Sequence, residues 1–183
     1  MLRRKYTPAV IFMNTWSLNL IRPLSLLAAA ILTLSVTAAG PKVGDPAPEL
    51  GKFQLEGNLP ELSGHVLLVD FWASWCAPCK RSFPVMKELH EKFSSRGLVI
   101  VAISVDEEAP AMRAFLKKNP VPFAIVRDGS GKVPEAFGAE KMPTSYLVGP
   151  DGKILSIHSG FEGEATRKQY LNEIEAALKA AGK

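Results

Sequence analysis

Two apolar runs constrain this chain more than any other feature. "VLLVDF", Val66 to Phe71, and "LVIVAISV", Leu98 to Val105, are nearly continuous and rich in β-formers. Strands of that kind need cover on both faces, as in the middle of a parallel or mixed sheet. Between them Met86, Leu89 and Phe93 recur at helical spacing while Lys87, Glu88 and Glu91 face away, which predicts a helix from about Ala77 to Phe93. Pro78 falls in its first turn, where a missing N–H costs nothing. Pro84 removes the bond to the Lys80 carbonyl and should kink the helix. Strand, helix and strand at this spacing form a βαβ unit.

The remaining segments fit around that unit without repeats or low-complexity tracts. "PKVGDPAPEL" is an extended, proline-rich entry, and "GKFQLEGNLPELSGH" reads as a short strand with turns. Downstream, "EEAPAMRAFLKKN" is a helix, acidic at its start and basic at its end. "FAIV" is a short strand and "GKVPEAFG" a turn with one helical turn. "TSYLV" and "KILSIHS" flank "GPDG", so Thr144 to Ser159 is expected to be a β-hairpin. A last helix, from about Glu164 to Ala181, should bury Leu171, Ile174 and Leu178. The expectation is an α/β domain, a mixed central sheet flanked by helices, over residues 40–183.

The formal charge of +4 invites a nucleic-acid reading until its location is considered. Residues 1–39 hold Arg3, Arg4, Lys5 and Arg22 and no acid; setting those four aside leaves 18 basic against 18 acidic residues. The basic excess belongs to the leader, so a nucleic-acid partner has no electrostatic support. The leader itself has an apolar heart, Leu24 to Val36, followed by small residues in "VTA" and "TAA". Such a segment serves as a signal peptide, cut after those small residues, or as an uncleaved N-terminal membrane anchor. Met13 is an alternative start. Either way the domain is expected outside the cytoplasm, in a bacterial periplasm or cell envelope, where disulfides persist.

The chain's two cysteines, Cys76 and Cys79, stand at the mouth of the predicted helix, directly after the first buried strand. A disulfide closing so short a loop removes little unfolded-state entropy, which makes a poor staple. Zinc needs about four ligands, and neither a second C-x-x-C nor an H-x-x-x-H pair is present. Redox chemistry suits the position better. Helix N–H groups and the macrodipole stabilise Cys76 as thiolate, and Cys79, one turn inward, attacks the mixed disulfide that Cys76 has formed. Two sulfurs carry the electrons, so neither a cofactor nor a metal is called for.

"VDFWASWCAPCK", Val69 to Lys80, closely resembles the active-site segment of thioredoxin-like proteins. "VGDPAPEL", "LSGHVLLVDFWASWC" and "KMPTSYLVGPDGKI" are similar to the TlpA/ResA branch, extracytoplasmic thiol-disulfide oxidoreductases; the likeness runs from Val43 to about Leu178. It implies a thioredoxin-like fold with the central strand-helix insertion of that branch. It also implies Cys76 as exposed nucleophile, Cys79 as resolving cysteine and Pro143 as a cis-proline facing the disulfide. Met142 would offer its backbone to a substrate strand, and Trp75, Ala77 and Pro78 would shape the docking face, with Trp75 shielding the disulfide and Trp72 in the core.

Asp70 lies within an apolar strand, where ionisation is costly and the carboxyl pKa should rise. It precedes Cys76 by six residues, the spacing at which the family places a buried acid that deprotonates the second cysteine; the alternative is a solvated strand-end aspartate. Lys80 either supports the thiolate or is simply solvated. The chain also departs from its relatives. Ser82 and Ala77 stand where family members carry a glutamate, and "GAEKMPTS" replaces the cytochrome c maturation fingerprint around the cis-proline.

Ala77-Pro78 is closer to the Gly-Pro of reducing thioredoxins than to the Pro-His of DsbA, so the pair is expected to reduce protein disulfides. Apocytochrome c and copper-site proteins are candidate substrates. The family implies a DsbD- or CcdA-like membrane protein as electron donor. Two rival readings fit worse. A peroxiredoxin would need a proline at Val69. A Cu(I)-binding or copper-site assembly protein would use the same thiols with His158, but prefers C-x-x-x-C; His65 and His90 form no constellation either.

Overall fold

In the computed structural model, which describes residues 40–183, the two apolar runs become β1 (Val66–Trp72) and β2 (Leu98–Ser104). They pair in parallel, with Val66 opposite Leu98 and Trp72 opposite Ser104. The helix between them, α1, spans Ala77–Phe93 and buries Met86, Leu89 and Phe93 as the spacing predicts. Pro84 lies inside it, and the helix continues past it. The expectations for residues 1–39, signal peptide or membrane anchor, lie outside the described residues. Among the described residues no helix is long and apolar enough to cross a membrane.

After β2 come α2 (Ala109–Lys118), β3 (Ala124–Arg127), α3 (Lys132–Phe137), β4 (Thr144–Val148), β5 (Ile154–Ser159) and α4 (Glu164–Ala180). The sheet order is β3-β2-β1-β4-β5. β3 joins β2 in parallel, whereas β4 pairs antiparallel with both β1 and β5. The sheet is therefore mixed, and the strongest apolar run, β1, holds its centre. α2, β3 and α3 together fill the sequence between β2 and β4 and add the outermost strand on that side.

Alternation along β1 divides the core in two, because successive side chains point to opposite faces. Val66, Leu68 and Trp72 pack under α1 and α4 with Phe83, Met86, Leu89, Ile174 and Leu178. Val69 and Phe71 pack on the other face against Val133 and Phe137 of α3 and Leu50 of the entry segment. Trp72 is the core residue expected, edge-on to Phe83 with ring centroids 4.7 Å apart.

Four local expectations need correction. The short strand expected in residues 51–65 is absent: Leu50–Lys52 form a single 3₁₀ turn, and Glu56 makes only an isolated bridge to Arg127. Gly57, at φ 119°, turns the chain away at once, and a Cβ there would meet the Ile125 carbonyl at 2.9 Å. The "GKVPEAFG" turn is a six-residue helix, started by the Asp128 carboxylate accepting the Val133 N–H at 2.7 Å. The acids of the second helix precede its first turn, with Glu108 at the N-cap making no side-chain cap bond. In α4 the buried stripe is Thr166, Tyr170, Ile174, Ala177 and Leu178, with Leu171 only partly buried.

Candidate active site

The site is built where β1 ends and α1 begins. Cys76 is the N-cap of α1, in extended backbone conformation, and its sulfur accepts the Cys79 N–H at 3.2 Å. The sulfur thus takes one of the N–H groups that a helix start leaves without an intrahelical partner. Cys76 and Cys79 are joined as a disulfide, with Cα atoms 5.3 Å apart. Cys79 is fully buried and Cys76 is 5% accessible. Cys76 is thus less exposed than the family likeness implies, its sulfur being bonded to Cys79 and accepting an N–H at the helix start. The order of exposure between the two residues is nevertheless the one that disulfide exchange through Cys76 requires.

Trp75 projects into solvent with 69% of its surface free. Its indole, next in sequence to Cys76, is apolar surface for a partner to cover. Ala77 beside it is exposed and Pro78 half-buried. Met142 packs on the cluster that contains both cysteines, and the Met142–Pro143 peptide bond is cis. The Pro143 carbonyl accepts the Gly160 N–H at 2.7 Å. The exposed Lys80 places its ammonium over the Phe115 ring, 5.7 Å from the centroid. Ser82, at the family's glutamate position, is buried and donates its hydroxyl to the Cys79 carbonyl at 2.8 Å.

Asp70 is completely buried, on the α1 face of β1 between Leu68 and Trp72, and among the described residues neither carboxyl oxygen has a hydrogen-bond partner. Desolvation alone pushes its pKa well above the ordinary carboxylate range. A solvated strand-end aspartate is not what the fold contains. His158 is not a free surface ligand either: its Nε2 lies 2.7 Å from Glu173 Oε2. Among the described residues no group of three or more His, Cys, Asp or Glu side chains could hold a metal ion.

Sequence reasoning passes over Asp106, which holds the active-site loop in place. Its buried carboxylate accepts the Ser74 N–H at 2.9 Å, the Ser74 hydroxyl at 2.6 Å and the Ser104 hydroxyl at 2.7 Å. Arg127 of β3 then donates to the backbone carbonyls of Asp106 and Glu107, at 3.1 and 2.8 Å, and pairs with Glu56. The only signal was an acid directly after a buried strand. Asp106→Ala strands three donors at once, so chemical denaturation should show a loss of about 2–3 kcal/mol, and Asp106→Asn should recover part of it.

A cavity of about 340 Å³ lies on the α3 face, lined by Leu50, Leu62, Leu67, Phe137 and Val148 among others, and neither Cys76 nor Trp75 borders it. The cysteine site, with its projecting indole, suits a disulfide on a macromolecule better than a small molecule held in a pocket.

Comparison with known proteins bears directly on this geometry. The Redoxin family profile matches residues 42–174. The chain belongs to the Redoxin family. Within this family it is similar to the thiol-disulfide oxidoreductase ResA of Bacillus subtilis, 35% identical over 118 residues that cover 64% of this chain and 66% of the relative. ResA of Bacillus thuringiensis is 31% identical over 136 residues, covering 73% and 79%. Among solved structures, a putative thiol:disulfide interchange protein DsbE from Chlorobium tepidum superposes with a TM-score of 0.69 at 36% identity, covering 75% of this chain and 98% of that one. This Redoxin-family chain is accordingly a ResA-like thiol-disulfide oxidoreductase of thioredoxin-like fold, and Cys76 and Cys79 form its C-x-x-C disulfide. As in that class, its substrates are protein disulfides.

Proposed function

We propose that the protein is an exported protein-disulfide reductase in which Cys76 attacks and Cys79 resolves. The observation that carries this reading is the position of the Cys76 sulfur, capping α1 and accepting the Cys79 N–H at 3.2 Å while Cys79 is fully buried. The same N–H and the helix dipole favour the thiolate once the pair is reduced. The Cys76 thiolate attacks one sulfur of a substrate disulfide, forming a mixed disulfide and expelling the other substrate sulfur as thiolate. Asp70 in its ionised form takes the Cys79 proton. The Cys79 thiolate then attacks the Cys76 sulfur, releasing the second substrate sulfur and leaving the Cys76–Cys79 disulfide. Two electrons pass to the substrate, and a dithiol donor must return them.

Trp75, Ala77, Pro78 and the Met142 backbone form the docking face in this reading. The leader of residues 1–39 directs the domain to the cell envelope, and a DsbD- or CcdA-like membrane protein supplies electrons. Substrates are disulfide-bonded envelope proteins, apocytochrome c or copper-site proteins among them. Ala77-Pro78 between the cysteines favours reduction. Equilibration with glutathione buffers tests the direction: the couple should lie nearer the roughly −270 mV of thioredoxin than the roughly −120 mV of DsbA. A value at the DsbA end reverses the assignment.

A further inference from the structure

A row of polar side chains crosses the α4 face of the sheet. Asp70 on β1 is the register partner of Ser145 on β4, and Ser145 is the partner of His158 on β5. Register partners on adjacent strands project to the same face. A carboxyl, a hydroxyl and an imidazole therefore stand side by side from the centre of the sheet to its edge. α4 covers them. The hydroxyl of its buried Tyr170 is 2.7 Å from the Ser145 hydroxyl, and the Tyr170 ring stands edge-on to His158 with centroids 4.9 Å apart. Glu173 accepts from the Ser156 hydroxyl at 2.6 Å and pairs with His158.

The two hydroxyls are each other's partner, and chemistry decides which donates. A phenol is far more acidic than an alkanol, so Tyr170 is the donor and Ser145 the acceptor. Burial also holds the Tyr170 phenol above its ordinary range, which keeps its proton in place. The Ser145 hydroxyl proton is then uncommitted, on the residue directly opposite Asp70, whose oxygens have no partner among the described residues. Directly opposed Cβ atoms lie about 4.5–5.5 Å apart, so a carboxylate at Asp70 is within range of a reoriented hydroxyl.

We propose that Ser145 and Tyr170 form a two-hydroxyl relay that stabilises the ionised form of Asp70, with Tyr170 a positioning residue acting through Ser145. The relay rests on the reading that Asp70 accepts the Cys79 proton; it names what makes that acceptance affordable in an apolar core. Hydrogen bonds in series polarise one another, so the Tyr170 donor strengthens the bond Ser145 gives. Of the titratable groups on this face, Tyr170 of α4 lies within electrostatic reach of Asp70, and Cys79 of α1 belongs to the same buried cluster but does not titrate while disulfide-bonded; β2 brings only Ala102 alongside. The His158–Glu173 pair lies beyond Tyr170 at the sheet edge.

The test follows the ¹³Cγ chemical shift of Asp70 against pH in the oxidised protein, where no turnover occurs. Tyr170→Phe should move the titration midpoint up by about half to one pH unit. Ser145→Ala should move it further, Ser145→Thr should restore it, and the double variant should match Ser145→Ala alone. A purely structural role would lower the melting temperature and leave the midpoint unmoved. The relay is overturned if the midpoint is unchanged or falls in Tyr170→Phe, or if the two shifts simply add. A wild-type Asp70 that stays protonated to pH 10 overturns it too, there being no ionised form to stabilise. Should Tyr170→Phe fail to fold, Ser145→Ala and Ser145→Thr decide alone. If the midpoints move as expected while Asp70→Asn resolves mixed disulfides normally, the proton-acceptor reading fails and the relay stands.

Discussion

A Cys79→Ala variant, reduced and mixed with a disulfide-bonded protein, should accumulate as a covalent Cys76 adduct that non-reducing electrophoresis resolves. The Cys76→Ser variant should form no adduct, and its turnover of a protein disulfide should drop about 1000-fold or more, to the uncatalysed level, because a serine hydroxyl furnishes almost no anion at neutral pH. The two outcomes differ for a structural reason. Cys76 caps the helix and is the one residue of the pair with any accessible surface, whereas Cys79 is fully buried and is placed to meet only a sulfur already delivered to Cys76. Adduct formation through Cys79 in the Cys76→Ser variant would sink this order of events. Adducts trapped in cell-envelope extracts with Cys79→Ala would also name the substrates.

Asp70→Asn should slow resolution of the mixed disulfide by about 100-fold, at the low end of what a positioned base contributes. Only ionised Asp70 can take the Cys79 proton, so the wild-type rate should rise with pH through the elevated Asp70 pKa and the variant should lose that limb. Stability should respond in the opposite sense. A carboxyl whose folded pKa is raised binds its proton more tightly in the folded than in the unfolded state, so stability falls as pH climbs from about 3.9 through the folded value. The asparagine variant should show a flatter pH profile and a higher melting temperature at neutral and alkaline pH. A wild-type profile as flat as the variant's would contradict the buried, partnerless carboxyl.

The fold and the C-x-x-C site were legible where periodicity and spacing are strong. β1, β2 and α1 follow from two apolar runs and one helical stripe, and α1 begins and ends where that stripe predicts. Asp70 stood out as a charge where an apolar side chain belongs. What sequence could not reveal depends on long-range pairing. Ser145 and Tyr170 are separated by 25 residues and Ser74 and Asp106 by 32, and no local pattern joins a hydroxyl on a strand to a phenol on a helix. Glu56 fails as a strand residue for a related reason: its one bridge needs β3 already in place, and Gly57 ends it immediately. The 69% exposure of Trp75 was not legible either, because adjacency in sequence says nothing of which way a loop side chain turns.

The Arg127 tie has a consequence for the order in which the protein becomes competent. Glu56 and Arg127 are 71 residues apart, Arg127 and the Asp106 carbonyl 21, and Asp106 and Ser74 32. Contacts that close such long loops carry a high entropic cost early in folding. Until β3 is seated, the segment ahead of Cys76 lacks its brace, and the helix start that tunes the sulfur is incomplete. Reactivity on the proposed mechanism is thus coupled to tertiary completion: a nascent chain carries two ordinary thiols, and only the finished fold sets one at a helix start and buries the other.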